Sequence, residues 1–209
     1  MQAKDKIILD LCGGTGSWSK PYKSVGYDVR LITLPDFDIR AYKPPENVYG
    51  ILAAPPCTMF SWARTRGNKK RRDLREGMEL VKRCLEIIWE VQYEMKNQYA
   101  HYTSMKFWVL ENPFSLLNSF LGKPAFIFHP YEFGDGYSKK TCLWGNFNEP
   151  VKTHTKENGR MVSGKKFDQL LMPEIRSIGD NIFRETSVRQ ELRGITPQGF
   201  ARAFFLANQ

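Results

Sequence analysis

The sequence predicts an α/β protein: a doubly wound, mostly parallel sheet with helices on both faces. Three observations predict it. Short apolar runs recur along the chain, each breaking into a turn or loop: "KIILDLCGG", "YDVRLITL", "VYGILAAPP" and "FWVLENP". The third is a β-rich apolar run, the pattern of a strand buried on both faces. Helical spans lie between them, and strands alternating with helices form βαβ units.

The first strand covers Ile7 to Leu11 and breaks into a Gly-rich turn; a helix then begins near Ser19, with Pro21 in its first turn, where a missing N–H costs little. The second strand is Tyr27 to Leu34, followed by the loop "PDFDIRAYKPPEN", and the third is Val48 to Ala54. Beyond a basic loop, Met78, Val81, Leu85, Ile88 and Val91 recur at helical spacing, which predicts an amphipathic helix over Leu74 to Lys96. Phe107 to Pro113 is the fourth strand. "FHPYEFGDGYSKKTCLWGNF" reads as a hairpin or two edge strands around a Gly-Asp-Gly turn, and "TPQGFARAFFLAN" as a closing helix. Residues 151–185 are polar, basic and weakly periodic, so 146–188 is expected to be a surface insertion in a single domain spanning 1–209.

Length and composition agree with one folded domain: 209 residues, 42% apolar and 13% aromatic, enough to build a core. No charged-then-apolar leader precedes the first strand and no apolar run approaches the ~18 residues of a membrane span. A cytoplasmic protein without membrane contact is expected. Cys12, Cys57, Cys84 and Cys142 stand far apart, and His101, His129 and His154 stand alone, so neither a disulfide framework nor a metal site is expected. The formal charge is +9 and the basic residues cluster, which favours a polyanion and nucleic acid first.

Ligands of doubly wound sheets bind at the carboxyl ends of the strands. Four clusters fall there. "DLCGGTGSW" (Asp10, Cys12, Gly13, Gly14, Thr15, Gly16, Trp18) offers glycines where a backbone must turn tightly or let a ligand approach. It lacks the third glycine of a dinucleotide fingerprint, so it suits a nucleoside-containing ligand better than a pyrophosphate, and Trp18 either covers that ligand or packs. Asp36 and Asp38 offer carboxylates to a ribose hydroxyl or an adenine amino group, or are solvated loop acids. "AAPPC" places Cys57 after Pro55 and Pro56, whose fixed φ makes the exit from the strand stiff. A stiff mount suits a nucleophile, and the cations Arg64, Arg66, Lys69 and Lys70 would favour its thiolate. Glu111 ends the fourth apolar strand, where desolvation would raise its pKa and make it a proton donor near neutrality.

Together these residues resemble the C5-cytosine DNA methyltransferases. "DLCGGTGSW" is similar to that family's Asp-Leu-Phe-Cys-Gly-x-Gly-Gly, "PPCTMFSWARTRGNKKRRDLR" to its Pro-Pro-Cys motif and following loop, "ENP" to Glu-Asn-Val, and "RGITPQGFAR" to Arg-x-Leu-Thr-Pro, in the family's order. The resemblance implies a Rossmann-like domain binding S-adenosylmethionine (AdoMet) and a DNA cytosine flipped out of its stack. Cys57 would attack C6 of the base, Glu111 would hold or protonate N3, and C5 would take the methyl group. AdoMet would lie on Asp10 to Trp18 with Asp38 at the adenine and Pro55 on the floor. The loop from Thr65 to Arg75, with Arg64 and Arg66, would close over DNA, and Arg193 and Thr196 carry the late motif.

The chain departs from the pattern in places. Cys12 replaces an aromatic residue and Ser17 a glycine, the second strand ends without an acid, and the Gln-x-Arg-x-Arg motif is absent. Lys139 and Lys140 stand where its arginines would act, although lysine is not equivalent at a bidentate site. The target-recognition region and the helix after the late motif are also missing, which leaves room for very short target sequences, a dimer or a helper subunit.

Other readings are open. An exocyclic amino-methyltransferase would place a polar residue before Pro-Pro and an aromatic one after it, where this chain has Ala54 and Cys57. A zinc deaminase would need Cys-x-x-Cys and His-x-Glu. The same C5 chemistry on RNA or on a free cytidine nucleotide fits the short recognition region. A catalytically silent DNA-binding protein fits the altered motifs but gives Cys57 and Glu111 no task.

Overall fold

The computed structural model describes residues 2–62, 72–94, 105–155 and 194–209. Six strands form one sheet: β1 (Ile7–Leu11), β2 (Asp28–Ile32), β3 (Val48–Ala53), β4 (Phe107–Pro113), β5 (Phe126–Phe128) and β6 (Thr141–Asn146), in the spatial order β2-β1-β3-β4-β6-β5. The pairs β1–β2, β1–β3 and β3–β4 are parallel, and β6 runs antiparallel to both β4 and β5. The helices are α1 (Lys20–Ser24), α2 (Leu74–Trp89), α3 (Leu117–Leu121) and α4 (Gln198–Ala207). The architecture is a mostly parallel α/β sheet consistent with a Rossmann-like fold.

Strand alternation sorts the core into two layers. Leu9, Leu11, Ile51, Ala53 and Leu110 face α2, whose Val81, Cys84, Ile87 and Ile88 cover them. Ile8, Leu52, Phe107, Val109 and Leu143 face the other way, under Tyr22 of α1 and Phe200, Phe204 and Phe205 of α4. The first layer is largely aliphatic and the second aromatic: Phe128 stacks on Phe200 at 3.9 Å between centroids, and Tyr22 meets Phe205 edge-on at 4.9 Å. Each fully buried side chain of this size adds about 1.5–3 kcal/mol, so both layers are needed to offset chain entropy.

The ends of the elements have local causes. Pro21 falls in the first turn of α1, as its position predicts. Asp73 caps α2, its carboxylate accepting from Glu76 N at 2.9 Å. Regular α-helix stops at Trp89 and a π-helical turn continues over Glu90–Glu94, so the predicted single helix to Lys96 is broken at residue 90. The pattern did not show this because Val91 keeps its buried place through the π turn. The Gly-Asp-Gly stretch separates β5 and β6, which pair antiparallel; of the two only β5 lies at the sheet edge, since β6 sits between β4 and β5, and a 3-10 turn at Pro130–Phe133 precedes the stretch.

Of the span 146–188 expected to be a surface insertion, 146–155 is described. Asn146 belongs to β6, and Asn148 is fixed to the C-terminus through Asn208, Asn148 N donating to Asn208 Oδ1 at 2.8 Å and Asn208 Nδ2 to Asn148 O at 2.9 Å. Thr153 N and His154 N both donate to Glu132 O. The rest of that span, 156–188, lies outside the described residues. No helix among those described is long and apolar enough to cross a membrane.

Candidate functional site

Sheet register determines what meets at the carboxyl edge. Leu11 pairs with Ile32 on one side and Ala53 on the other, and Ala53 pairs with Leu110. The next residue of each strand therefore forms a row across the edge: Thr33, Cys12, Ala54 and Glu111. Two of the four predicted clusters leave the sheet from that row; Glu111, expected to end its strand, stays within β4, which continues to Pro113 against β6, and the cluster of Asp36 and Asp38 follows Thr33.

The loop after β1 is built on unusual backbone. Cys12, Gly14 and Gly16 have φ of 57°, 55° and 69°, in the left-handed region. For Cys12 this costs about 1–2 kcal/mol; its side chain packs against the α2-facing core. Gly14 is exposed with open space where a Cβ would stand. Gly13 is glycine for another reason: a Cβ there would lie 2.2 Å from Asp10 Oδ1. Thr15 is exposed and shares a hydrogen bond with Ser17.

Asp10 lies beneath this loop, with no exposed surface. Its Oδ2 accepts from Ser19 Oγ at 2.5 Å, while Oδ1 is buried without a hydrogen-bond partner in the protein. Burial pushes its pKa up to about 6, against the opposing hydrogen bonds from Ser19. A buried carboxylate with one unanswered oxygen is costly unless something else answers it.

Trp18 does not cover the loop. It is 1% exposed, lodged between Phe200 and Phe204 at 5.8 and 5.5 Å, so of its two sequence readings the packing one describes its place. The aromatic faces of α4 draw the indole inward, and its Nε1 is buried without a partner.

After β2, Asp36 is exposed and Asp38 is gripped by Arg40, whose Nε lies 2.9 Å from Oδ1 and NH2 2.7 Å from Oδ2. These hydrogen bonds hold the Asp38 carboxyl below its usual pKa. Leu34 before them and Phe37 between them are 65% and 54% exposed, an apolar surface beside the acids.

The turn after β3 is held at several points. Pro55 is buried, and its carbonyl accepts from Asn112 Nδ2 at 2.9 Å; Ala54 N donates to Leu11 O at 2.9 Å. Cys57 is half-buried and its carbonyl accepts from Phe60 N and Ser61 N, closing a turn. Arg72 then spans that turn, donating to Met59 O and Ser61 O, both at 2.8 Å. The sequence assigned Thr65 to Arg75 to a DNA-facing loop. Arg72 instead clamps the cysteine turn, Asp73 caps a helix, and Leu74 and Arg75 belong to α2. Arg64 and Arg66, with the loop cations Lys69 and Lys70, lie outside the described residues.

Glu111 is half-buried on β4, opposite Leu143, and burial raises its pKa while the charge of Lys139 pulls it back. Lys140 points elsewhere, its Nζ 3.9 Å over the Phe114 ring. The structure thus separates two lysines that the sequence left equivalent. Thr196 is half-buried ahead of α4, while Arg193 lies outside the described residues.

Three functional or supporting residues escaped sequence reasoning. Asn112 braces the proline turn, Arg72 clamps it, and Asp135 holds the start of α4. Asp135 Oδ2 accepts from Gly199 N at 3.1 Å, supplying the cap that Pro197 cannot. A Cβ on Gly199 would lie 2.1 Å from Phe133 O, so "TPQG" is shaped by this docking. Partners so distant in sequence leave no local signal. Among known proteins, no family model matches this chain and no curated sequence matches it.

Proposed function

We propose that this protein transfers a methyl group from AdoMet to C5 of a cytosine in DNA through a covalent adduct on Cys57. The observation that carries the reading is the hydrogen bond from Asn112 to Pro55 O at 2.9 Å, which ties the cysteine's proline mount to the strand bearing Glu111. A nucleophile and a burial-raised carboxyl, brought to one sheet edge by adjacent parallel strands, suit addition to an electron-poor ring. The mostly parallel sheet supports the finer reading of an AdoMet-dependent methyltransferase fold.

Cys57 Sγ adds to C6, and the displaced electron pair moves into the ring. Glu111, protonated, supports N3 and relieves the charge that develops there. AdoMet, when bound, supplies the electrophilic methyl group. Loss of the C5 proton to solvent, departure of the Cys57 thiolate and return of the N3 proton to Glu111 restore the aromatic ring. Lys139 neutralises the carboxylate that Glu111 becomes.

The residues present fit AdoMet. The unanswered Oδ1 of Asp10 offers an acceptor to a cationic or hydroxyl-bearing ligand, Gly14 leaves open space, and Leu34 and Phe37 offer apolar contact to an adenine. Asp38 would receive the adenine amino group by giving up one of the bonds it accepts from Arg40. The test is incubation of mixed-sequence DNA with labelled AdoMet, followed by nucleoside analysis. Label in 5-methyldeoxycytidine supports the reading; label on an exocyclic nitrogen, or none, contradicts it.

A further inference from the structure

Among the described residues, four of the ten largely exposed large apolar side chains stand in loops leaving the carboxyl ends of strands: Leu34, Phe37, Trp62 and Phe114. Two of them follow the proposed reacting residues closely in sequence. Trp62 follows Cys57 by five residues and is 54% exposed; Phe114 follows Glu111 by three and is 43% exposed. Their segments are packed together. Leu116 N donates to Phe60 O at 3.4 Å, and the Phe60 and Phe120 rings meet edge-on at 6.4 Å. A cation accompanies the second ring, Lys140 Nζ at 3.9 Å from its centroid.

Duplex readers present polar side chains, because base edges and phosphates are what a groove displays. The flat faces of bases are hidden inside the duplex stack. Exposed aromatic rings beside a cation are instead the equipment of single-strand binding, where bases stack on the rings and phosphates meet the charge. The net charge of +9 provides the attraction such a strand needs.

We propose that the site takes its cytosine from single-stranded DNA, with Trp62 and Phe114 stacking on the bases flanking the target and Lys140 meeting a phosphate. This rests on the proposed reaction for the identity of the target base. An unpaired target also removes the cost of unstacking and unpairing that flipping from a duplex demands.

The test is fluorescence anisotropy with the full chain and three labelled probes of one mixed sequence: single-stranded DNA, its duplex, and single-stranded RNA. The single DNA strand is expected to bind at least 10-fold tighter than the duplex. Trp62→Ala and Phe114→Ala are each expected to weaken it by about 5- to 100-fold, with Trp62→Phe restoring most of the loss. Lys140→Gln is expected to lower the salt slope of single-strand binding by about 0.7. Duplex binding equal to or tighter than single-strand binding overturns the proposal, as does wild-type single-strand affinity in folded Trp62→Ala and Phe114→Ala. An RNA strand bound more tightly than the DNA strand overturns the choice of DNA. A protein that stacks on single strands and methylates nothing sinks the reaction but keeps this inference; one that methylates duplex preferentially does the reverse.

Discussion

The loop after β1 and the turn after β3 leave the same edge of the same sheet and solve opposite problems. The first uses three left-handed residues and a missing Cβ at Gly13, with a carboxylate buried beneath it. The second uses two prolines, a brace from Asn112 and a clamp from Arg72. A backbone freed of side chains lets a ligand approach; a backbone pinned at several points holds one side chain still. The proposed reaction uses the first as its binding surface and the second to hold its reacting group.

Substitutions can break that contrast. The largest effect is expected for Cys57→Ser: methyl transfer should fall by at least about 10⁴-fold while AdoMet affinity, measured by calorimetry, stays within about 3-fold. Comparable losses of both would put the thiol in the binding surface and erase the distinction. Gly13→Ala should do the converse, forcing a methyl into the Asp10 carboxylate. Overpacking there should cost about 1–3 kcal/mol in denaturant melts and weaken AdoMet at least 10-fold.

Asn112→Ala sharpens the idea of a pinned turn. It removes the buried bond to Pro55 O, costing about 1–3 kcal/mol and lowering kcat more than it raises KM. A variant that loses the stability but none of the rate would reduce the brace to a structural detail.

Asp10→Asn tests the unanswered charge. The folded pKa of about 6 stands above the ordinary 3.8, so the folded state holds its proton more tightly than the unfolded chain. Stability from this group is therefore full below pH 3.8, falls as pH rises to 6, and is level beyond. The asparagine variant should gain on wild type at pH 7 relative to pH 4, by at most about 3 kcal/mol, while AdoMet affinity falls.

The smallest effect concerns Lys139, whose charge draws the Glu111 pKa down from the level burial sets. In the proposed reaction Glu111 acts protonated, so activity is expected to decline as pH rises through its pKa. Lys139→Gln should move that alkaline limb to higher pH, and Lys140→Gln should leave it in place. Equal shifts from both would dissolve the separation drawn between the two lysines.

Much of the frame is legible in the sequence. The bounds of β1 and β4 match the apolar runs Ile7 to Leu11 and Phe107 to Pro113, because buried parallel strands write themselves as unbroken apolar segments. The carboxyl-edge rule then located the clusters. What stayed hidden was long-range: Asn112 reaches back 57 positions to Pro55, and Asp135 forward 64 to Gly199. Trp18 could be read as a lid or a core residue until Phe200 and Phe204 arrived from the far end of the chain. Periodicity also missed the π turn after Trp89, since the same buried face continues through it.

The central claim is that Cys57 bonds to the cytosine ring. A DNA oligonucleotide carrying 5-fluorocytosine blocks loss of the proton at C5 and freezes the adduct. Incubated with the protein and AdoMet, it should yield a denaturation-resistant complex whose mass equals protein plus methylated oligonucleotide, with the cross-link mapping to Cys57 and absent from Cys57→Ser. Methylation of ordinary cytosine by wild type without any such complex would contradict the covalent mechanism.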